Sequence, residues 1–163
     1  MPPSISFAEA LAAAVKVEET GIAFYKAAAQ NSVDPSASAM FQKLAGLEEQ
    51  HKAYFAGLGG RLESIESLFL NDPGSEFAAG LSAMAANGVF DLSRNIDDFF
   101  TGRETPRAVI KAAIAMEKDS IVFYLGLEQA MADREEAKKM MEIIREEMRH
   151  ISVLSGILTQ LNQ

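Results

Sequence analysis

Cysteine is absent from the 163 residues, which excludes disulfides, iron–sulfur clusters, four-thiolate iron, thiolate zinc and any cysteine nucleophile. Tryptophan is missing too, and proline is confined to Pro2, Pro3, Pro35, Pro73 and Pro106. Long proline-free stretches rich in alanine favour helix over sheet. Basic charge is scarce: 15 Lys and Arg stand against 23 Asp and Glu, a net charge of −8. That balance argues against nucleic acid, which wants a clustered basic surface, and against anionic membranes. No apolar run approaches the roughly 18–20 residues that spanning a bilayer requires. The start, Met1-Pro2-Pro3-Ser4, lacks the basic-then-apolar pattern of a secretory signal. The expectation is a soluble cytoplasmic protein with neither a nucleic-acid nor a membrane partner.

What is present is apolar and periodic. Hydrophobic residues make up 48% of the chain, and its length suits one domain with a real core, residues 1–163. Four long helical patterns emerge. The first spans about 6–31, with Leu11, Val15, Ile22 and Ala29 on its stripe. Asp34-Pro35 reads as an N-cap followed by proline at the first helical position, opening a second helix that carries Phe41, Leu44, Phe55 and Leu58. Gly59-Gly60 is its stop signal. Thr105-Pro106 repeats the cap and opens a third helix with Ile110, Ile114 and Ile121, ending near Ala130. After a turn at Ala132-Asp133, the fourth carries Met140, Ile143, Leu154, Ile157 and Leu161. Two helical hairpins, 6–58 and 105–161, are thus joined by a crossover, 59–104, that is too long for a turn and reads as one or two short helices. The fold class is all-α, a four-helix bundle.

The chain also repeats itself. Shifted by 99, residues 8–60 match 107–159 at eleven of 53 positions. Among the identities are Glu18/Glu117, Phe24/Phe123, Tyr25/Tyr124, Glu48/Glu147 and His51/His150. The separation from Glu18 to Glu48 is 30 residues, and from Glu117 to Glu147 it is again 30.

Placed on the stripes, these identities put one Glu into the buried seam of every helix and a His one turn later on the second and fourth. A carboxylate in an apolar core is costly or is forced to protonate, and four at one depth repel each other. Two divalent cations would neutralise them, with the imidazoles uncharged. The i, i+3 spacing of Glu48/His51 and of Glu147/His150 lets each pair reach one ion. A Glu from each of two helices plus Glu-x-x-His from each of the other two is the known ligand set of di-iron and di-manganese bundles. Glu18, Glu48, His51, Glu117, Glu147 and His150 are therefore the candidate metal ligands. Tyr25 and Tyr124, two turns beyond their Glu, read either as core aromatics or as catalytic phenols that donate a hydrogen bond or relay an electron beside the metals. Phe24, Phe123 and the scattered Met116, Met140, Met141 and Met148 read as packing, and Tyr54, opposite Val153, has no assigned role.

The segments Val17-Glu18-Glu19-Thr20-Gly21-Ile22-Ala23-Phe24-Tyr25, Leu47-Glu48-Glu49-Gln50-His51, Met116-Glu117-Lys118-Asp119-Ser120-Ile121-Val122-Phe123-Tyr124 and Glu146-Glu147-Met148-Arg149-His150 resemble the rubrerythrin-like branch of the ferritin-like superfamily. The resemblance covers the four bundle helices and leaves the crossover unmatched. It implies a ferritin-like bundle with a non-haem di-iron centre that reacts with peroxide or dioxygen. Carried over by position, Glu48 and Glu147 would bridge two iron ions, with Glu18 and His51 on one and Glu117 and His150 on the other. Rubrerythrins proper carry a further carboxylate one turn from the third-helix Glu, where this chain has Ile114 and Ser120. Without cysteine there is no rubredoxin-type electron entry, so turnover would need a separate electron donor protein.

Three functions follow as expectations. The first is a rubrerythrin-like oxidoreductase reducing peroxide or dioxygen. The others are a ferroxidase or iron-storage protein, and a structural protein holding zinc or manganese, since imidazole and carboxylate suit all three metals. The apolar crossover, with Phe77, Phe90, Phe99 and Phe100, exceeds what one thin segment buries and predicts a homodimer.

Overall fold

A computed structural model of the chain describes residues 7–60, 80, 96–131 and 133–161. Four long helices dominate: α1 (Phe7–Asn31), α2 (Pro35–Gly59), α4 (Pro106–Ala130) and α5 (Arg134–Gln160), with a short α3 (Ile96–Phe99) ahead of α4. Each start has a local cause. Asp34 accepts from the amides of Ser36 and Ala37, Thr105 from Ala108, and Asp133 from Glu135 and Glu136. Pro35 and Pro106 take first-turn positions where no amide hydrogen is missed. Gly60 ends α2 with right-handed backbone, φ −68°, rather than the left-handed cap a glycine pair suggests.

The core divides into two apolar clusters. One joins Leu11 and Ala14 of α1, Phe55 and Leu58 of α2, Phe123 and Leu127 of α4, and Met140 and Ile144 of α5. The other joins Phe24 and Ala28 of α1, Phe41 and Leu44 of α2, Ile110 and Ala113 of α4, and Leu154 of α5. Early α1 thus meets late α2 and late α4, and early α5 meets late α2, so both hairpins are antiparallel. Leu58 and Ile110 lie in opposite clusters, so α2 and α4 point the same way. A four-helix bundle acquires that arrangement from a long connection between its hairpins.

On α2 the buried residues are those the stripe predicts, Phe41, Leu44, Glu48, His51, Phe55 and Leu58, with Ala45 added. On α5, Met140, Ile143, Glu147, His150 and Leu154 are buried, while Ile157 is half-buried and Leu161 exposed. On α1 and α4 the stripe sits one position earlier at two places. Ala14 and Gly21 are buried and Val15 and Ile22 only partly, and likewise Ala113 and Ser120 rather than Ile114 and Ile121. Gly21 and Ser120 line the cavity beside Glu18, Glu48 and Glu117. A Cβ on Gly21 would lie 3.5 Å from Glu48 Cγ. Met148, expected in the core, is 59% exposed.

Of the crossover, 61–79 and 81–95 lie outside the described residues, including Phe77 and Phe90. Phe99 and Phe100 are half-buried and pack on Phe24, with ring centroids 5.5 and 5.2 Å away, so two of the four aromatics behind the dimer expectation find a partner within the chain. Among the described residues, no helix is long and apolar enough to cross a membrane.

Candidate metal centre

Between the two apolar clusters lies a layer of six polar side chains. Glu18 comes from α1, Glu48 and His51 from α2, Glu117 from α4, Glu147 and His150 from α5. All six are between 1 and 4% exposed, so each is withdrawn from water although every one can carry charge. The helical spacing explains the depth. Each Glu takes the seam position between two apolar turns, and each His follows one turn later on the same face.

Their atoms form two overlapping groups. Glu18, Glu48, His51 and Glu147 each offer one ligand atom within 4.8 Å of the others, as do Glu48, Glu117, Glu147 and His150. Glu48 and Glu147 belong to both. His51 Nδ1 lies 3.0 Å from Glu147 Oε1, 3.4 Å from Glu48 Oε2 and 3.9 Å from Glu18 Oε2. His150 Nδ1 lies 2.9 Å from Glu147 Oε2, 3.2 Å from Glu48 Oε1 and 3.3 Å from Glu117 Oε1. Each central carboxylate therefore turns one oxygen to each imidazole. The two rings lie nearly parallel, at 20°, with centroids 6.1 Å apart.

The fit to a pair of cations can be tested on this geometry. Glu48 Oε1, both oxygens of Glu147, Nδ1 of both histidines and Nε2 of His150 are buried with no hydrogen-bond partner of acceptable geometry. Unsatisfied buried polar atoms are rare and costly. Five of these six belong to the two ligand groups, close together but without hydrogen-bond geometry, and a cation in each group would satisfy them. Oxygen and imidazole donors suit iron, manganese and zinc. The residues fit the group.

Electrostatics shows how the layer balances its own charge through protons. Burial pulls His51 down, but the approach of Glu147 and Glu48 outweighs it and holds the imidazole at about 11. His150 is likewise pulled down by burial and held at about 12 by Glu117, Glu147 and Glu48. Burial, followed by the nearby Glu48, pushes Glu18 well above the ordinary carboxylate range. Burial and the charges of Glu147 and Glu48 raise Glu117 to about 8 against the pull of His150. Glu48 and Glu147 shift the other way, since the two imidazoles overcome the effect of burial. The two imidazoles are thus pushed towards their charged form and Glu18 and Glu117 towards their neutral form, so that the charges of the layer offset one another.

Tyr25 and Tyr124 are fully buried and reach the outer carboxylates of the layer. They cross over: Tyr25 on α1 donates to Glu117 Oε1 on α4, and Tyr124 on α4 donates to Glu18 Oε1 on α1. Burial, then the adjoining carboxylate, raises both phenols well above their ordinary value, so they remain donors at any physiological pH. Phe24 and Phe123 are core packing, as read from the sequence. Tyr54, given no role from sequence, donates to Glu136 Oε2 at 3.0 Å. Sequence reasoning missed Glu146, whose Oε2 lies 2.8 Å from His51 Nε2. The signal was the pairing of Glu146 with Leu47 in the duplicated register, a mismatch beside a matched Glu.

A small cavity of about 10 Å³ adjoins the layer on the side of α1 and α4. Val17, Glu18, Gly21, Tyr25, Glu48, Met116, Glu117 and Ser120 line it, and the volume suits one water-sized molecule.

No protein-family model matches the chain, and no curated protein matches it. Among solved structures, the chain is similar to a Thermotoga maritima protein provisionally described as a ferritin-like diiron-carboxylate protein, at 20% sequence identity, with 96% of each chain covered and a TM-score of 0.74. A likeness at that identity speaks for the fold, and the fold it shows is a ferritin-like four-helix bundle carrying a buried Glu and His cluster compatible with a metal site.

Proposed function

We propose that this protein is a non-haem di-iron oxidoreductase of rubrerythrin-like type, reacting with peroxide or dioxygen and re-reduced by a separate electron donor protein. The observation that carries the reading is the pair of overlapping four-residue groups sharing Glu48 and Glu147. Glu18, Glu48, His51 and Glu147 would hold one iron, and Glu48, Glu117, Glu147 and His150 the other. When bound, the iron pair supplies the electrons that reduce the oxidant. The description of the Thermotoga maritima structure as a diiron-carboxylate protein supports the same assignment.

The chain's own residues supply position, charge and exclusion of water. Glu48 and Glu147 divide their oxygens between the two halves and so tie the two positions together. Tyr25 and Tyr124 hold one oxygen of Glu117 and of Glu18, fixing the outer carboxylates while leaving the second oxygen of each uncommitted by that bond. The cavity of about 10 Å³ beside Glu18 and Glu117 has room for one water-sized molecule next to the outer carboxylates. Apolar clusters on either side keep bulk water from the layer.

The test is anaerobic loading with ferrous iron, followed by peroxide or oxygen. Two irons per chain and a rise in ferric near-ultraviolet absorption are expected on mixing. Iron that binds but is oxidised by neither reagent would leave the structural alternative, and protein purified from iron-replete cells would then carry zinc or manganese. A cage-sized particle in solution scattering would instead favour iron storage.

A further inference from the structure

The two halves of the layer are matched in their six inward residues but not one step outside them. His51 offers Nδ1 to the centre, and its Nε2 lies 2.8 Å from Glu146 Oε2, across the bundle on α5. His150 also offers Nδ1 to the centre, but its Nε2 is buried and without a hydrogen-bond partner among the described residues. The duplicated register explains the contrast. The residue preceding Glu147 is Glu146, whereas the residue preceding Glu48, 99 positions earlier, is Leu47. An aliphatic side chain can accept no proton from an imidazole.

An imidazole binds a metal through an unprotonated nitrogen, so its other nitrogen must carry the hydrogen. A carboxylate on that second nitrogen fixes the tautomer, orients the ring and raises the basicity of the ligating atom. Glu146 is placed to act in this way on His51. Its side chain is 41% exposed, so it meets His51 from the water side of the layer. Among the described residues no side chain does the same for His150 Nε2.

We infer that Glu146 is a positioning residue for His51 that makes the two metal positions unequal, the position built on Glu18 and His51 holding its ion more tightly than the one built on Glu117 and His150. This inference rests on the two-metal reading of the layer. It also gives the ions an order of loading, with the His51 position filling first.

Cobalt(II) is a suitable probe because it takes the same ligands and its visible absorption reports their number and geometry. Wild-type protein and the variants Glu146→Gln and Glu146→Leu are titrated with cobalt(II) by calorimetry and visible spectroscopy, with circular dichroism as the folding control. In wild type, two equivalents bind in separate steps. Loss of an outer partner of a ligating histidine weakens metal binding by about 10- to 100-fold. Glu146→Leu is therefore expected to weaken the tighter step by that factor, leave the weaker one in place, and change the spectrum of the first equivalent. Glu146→Gln, which keeps a hydrogen-bond acceptor without the charge, falls between. Unchanged binding in Glu146→Leu, or equal weakening of both steps, overturns the inference while leaving the two-metal centre standing. Absence of any cobalt uptake by folded wild type overturns both.

Discussion

The hairpin of α1 and α2 and the hairpin of α4 and α5 bring the same side chains to the same depth but surround them differently. Asp34 and Asp133 cap corresponding helices, Glu18 and Glu117 face each other across the layer, and Tyr25 and Tyr124 exchange hydrogen bonds with the opposite Glu. One turn away the match fails: Gly21 answers to Ser120, Leu47 to Glu146 and Tyr54 to Val153. All six inward charged residues and both tyrosines match, and the differences fall on the residues that surround them.

The largest break in this symmetry comes from the shared carboxylates. Glu48→Ala or Glu147→Ala removes a ligand from both groups and leaves imidazolium charge unpaired in the core, where breaking a buried pair costs about 3–5 kcal/mol. Both are expected to lose both metals in equilibrium dialysis, whereas Glu18→Ala and Glu117→Ala each lose one. Equal losses in all four would contradict the overlapping assignment.

Next in size is the response to pH. Glu18, Glu117, His51 and His150 all have folded pKa values raised above ordinary, with Glu117 at about 8 and the imidazoles at about 11 and about 12. A group raised in this way stabilises the fold fully below its unfolded pKa and loses that contribution as pH rises through the folded value. Glu48 and Glu147, shifted down, lose theirs as pH falls. Chelator-treated protein is therefore expected to be most stable near pH ~5 and to weaken as pH climbs towards ~9. Two divalent ions favour the unprotonated forms of Glu18, Glu117, His51 and His150, all of whose pKa values are raised. Loading at neutral pH should thus release protons, measurable by calorimetry in buffers of different ionisation enthalpy. Release of none would mean that the layer is balanced some other way.

Much of the bundle was legible because helical periodicity and caps are local. The stripe of α2, the N-caps Asp34 and Thr105 and the inward register of the six charged residues needed no knowledge of what lay across the bundle. The centres of α1 and α4 misled by one position, because a stripe drawn through the largest hydrophobes picks Val15, Ile22, Ile114 and Ile121. The positions that turn inward there are Ala14, Gly21, Ala113 and Ser120, and Gly21 and Ser120 line the cavity beside Glu18, Glu48 and Glu117. Glu146 was invisible for another reason. It stands in an acidic run, half outside the bundle, and its partner lies 95 residues earlier in sequence.

A finer probe of the symmetry is the tyrosine pair. Tyr25→Phe and Tyr124→Phe each leave a buried carboxyl oxygen short of a donor and are expected to cost about 1–3 kcal/mol in denaturant unfolding, by similar amounts. A large disparity would show that only one of the crossed bonds matters. Smallest are the caps. Asp34→Ala and Asp133→Ala each remove a side chain that accepts two amides, for about 1 kcal/mol apiece.

The most direct measurement is anomalous X-ray scattering at the iron edge from crystals grown with ferrous iron. The account predicts two peaks inside the bundle, both next to Glu48 and Glu147, one beside His51 and the other beside His150. Iron found only on the acidic exterior, with the six side chains paired among themselves, would contradict it.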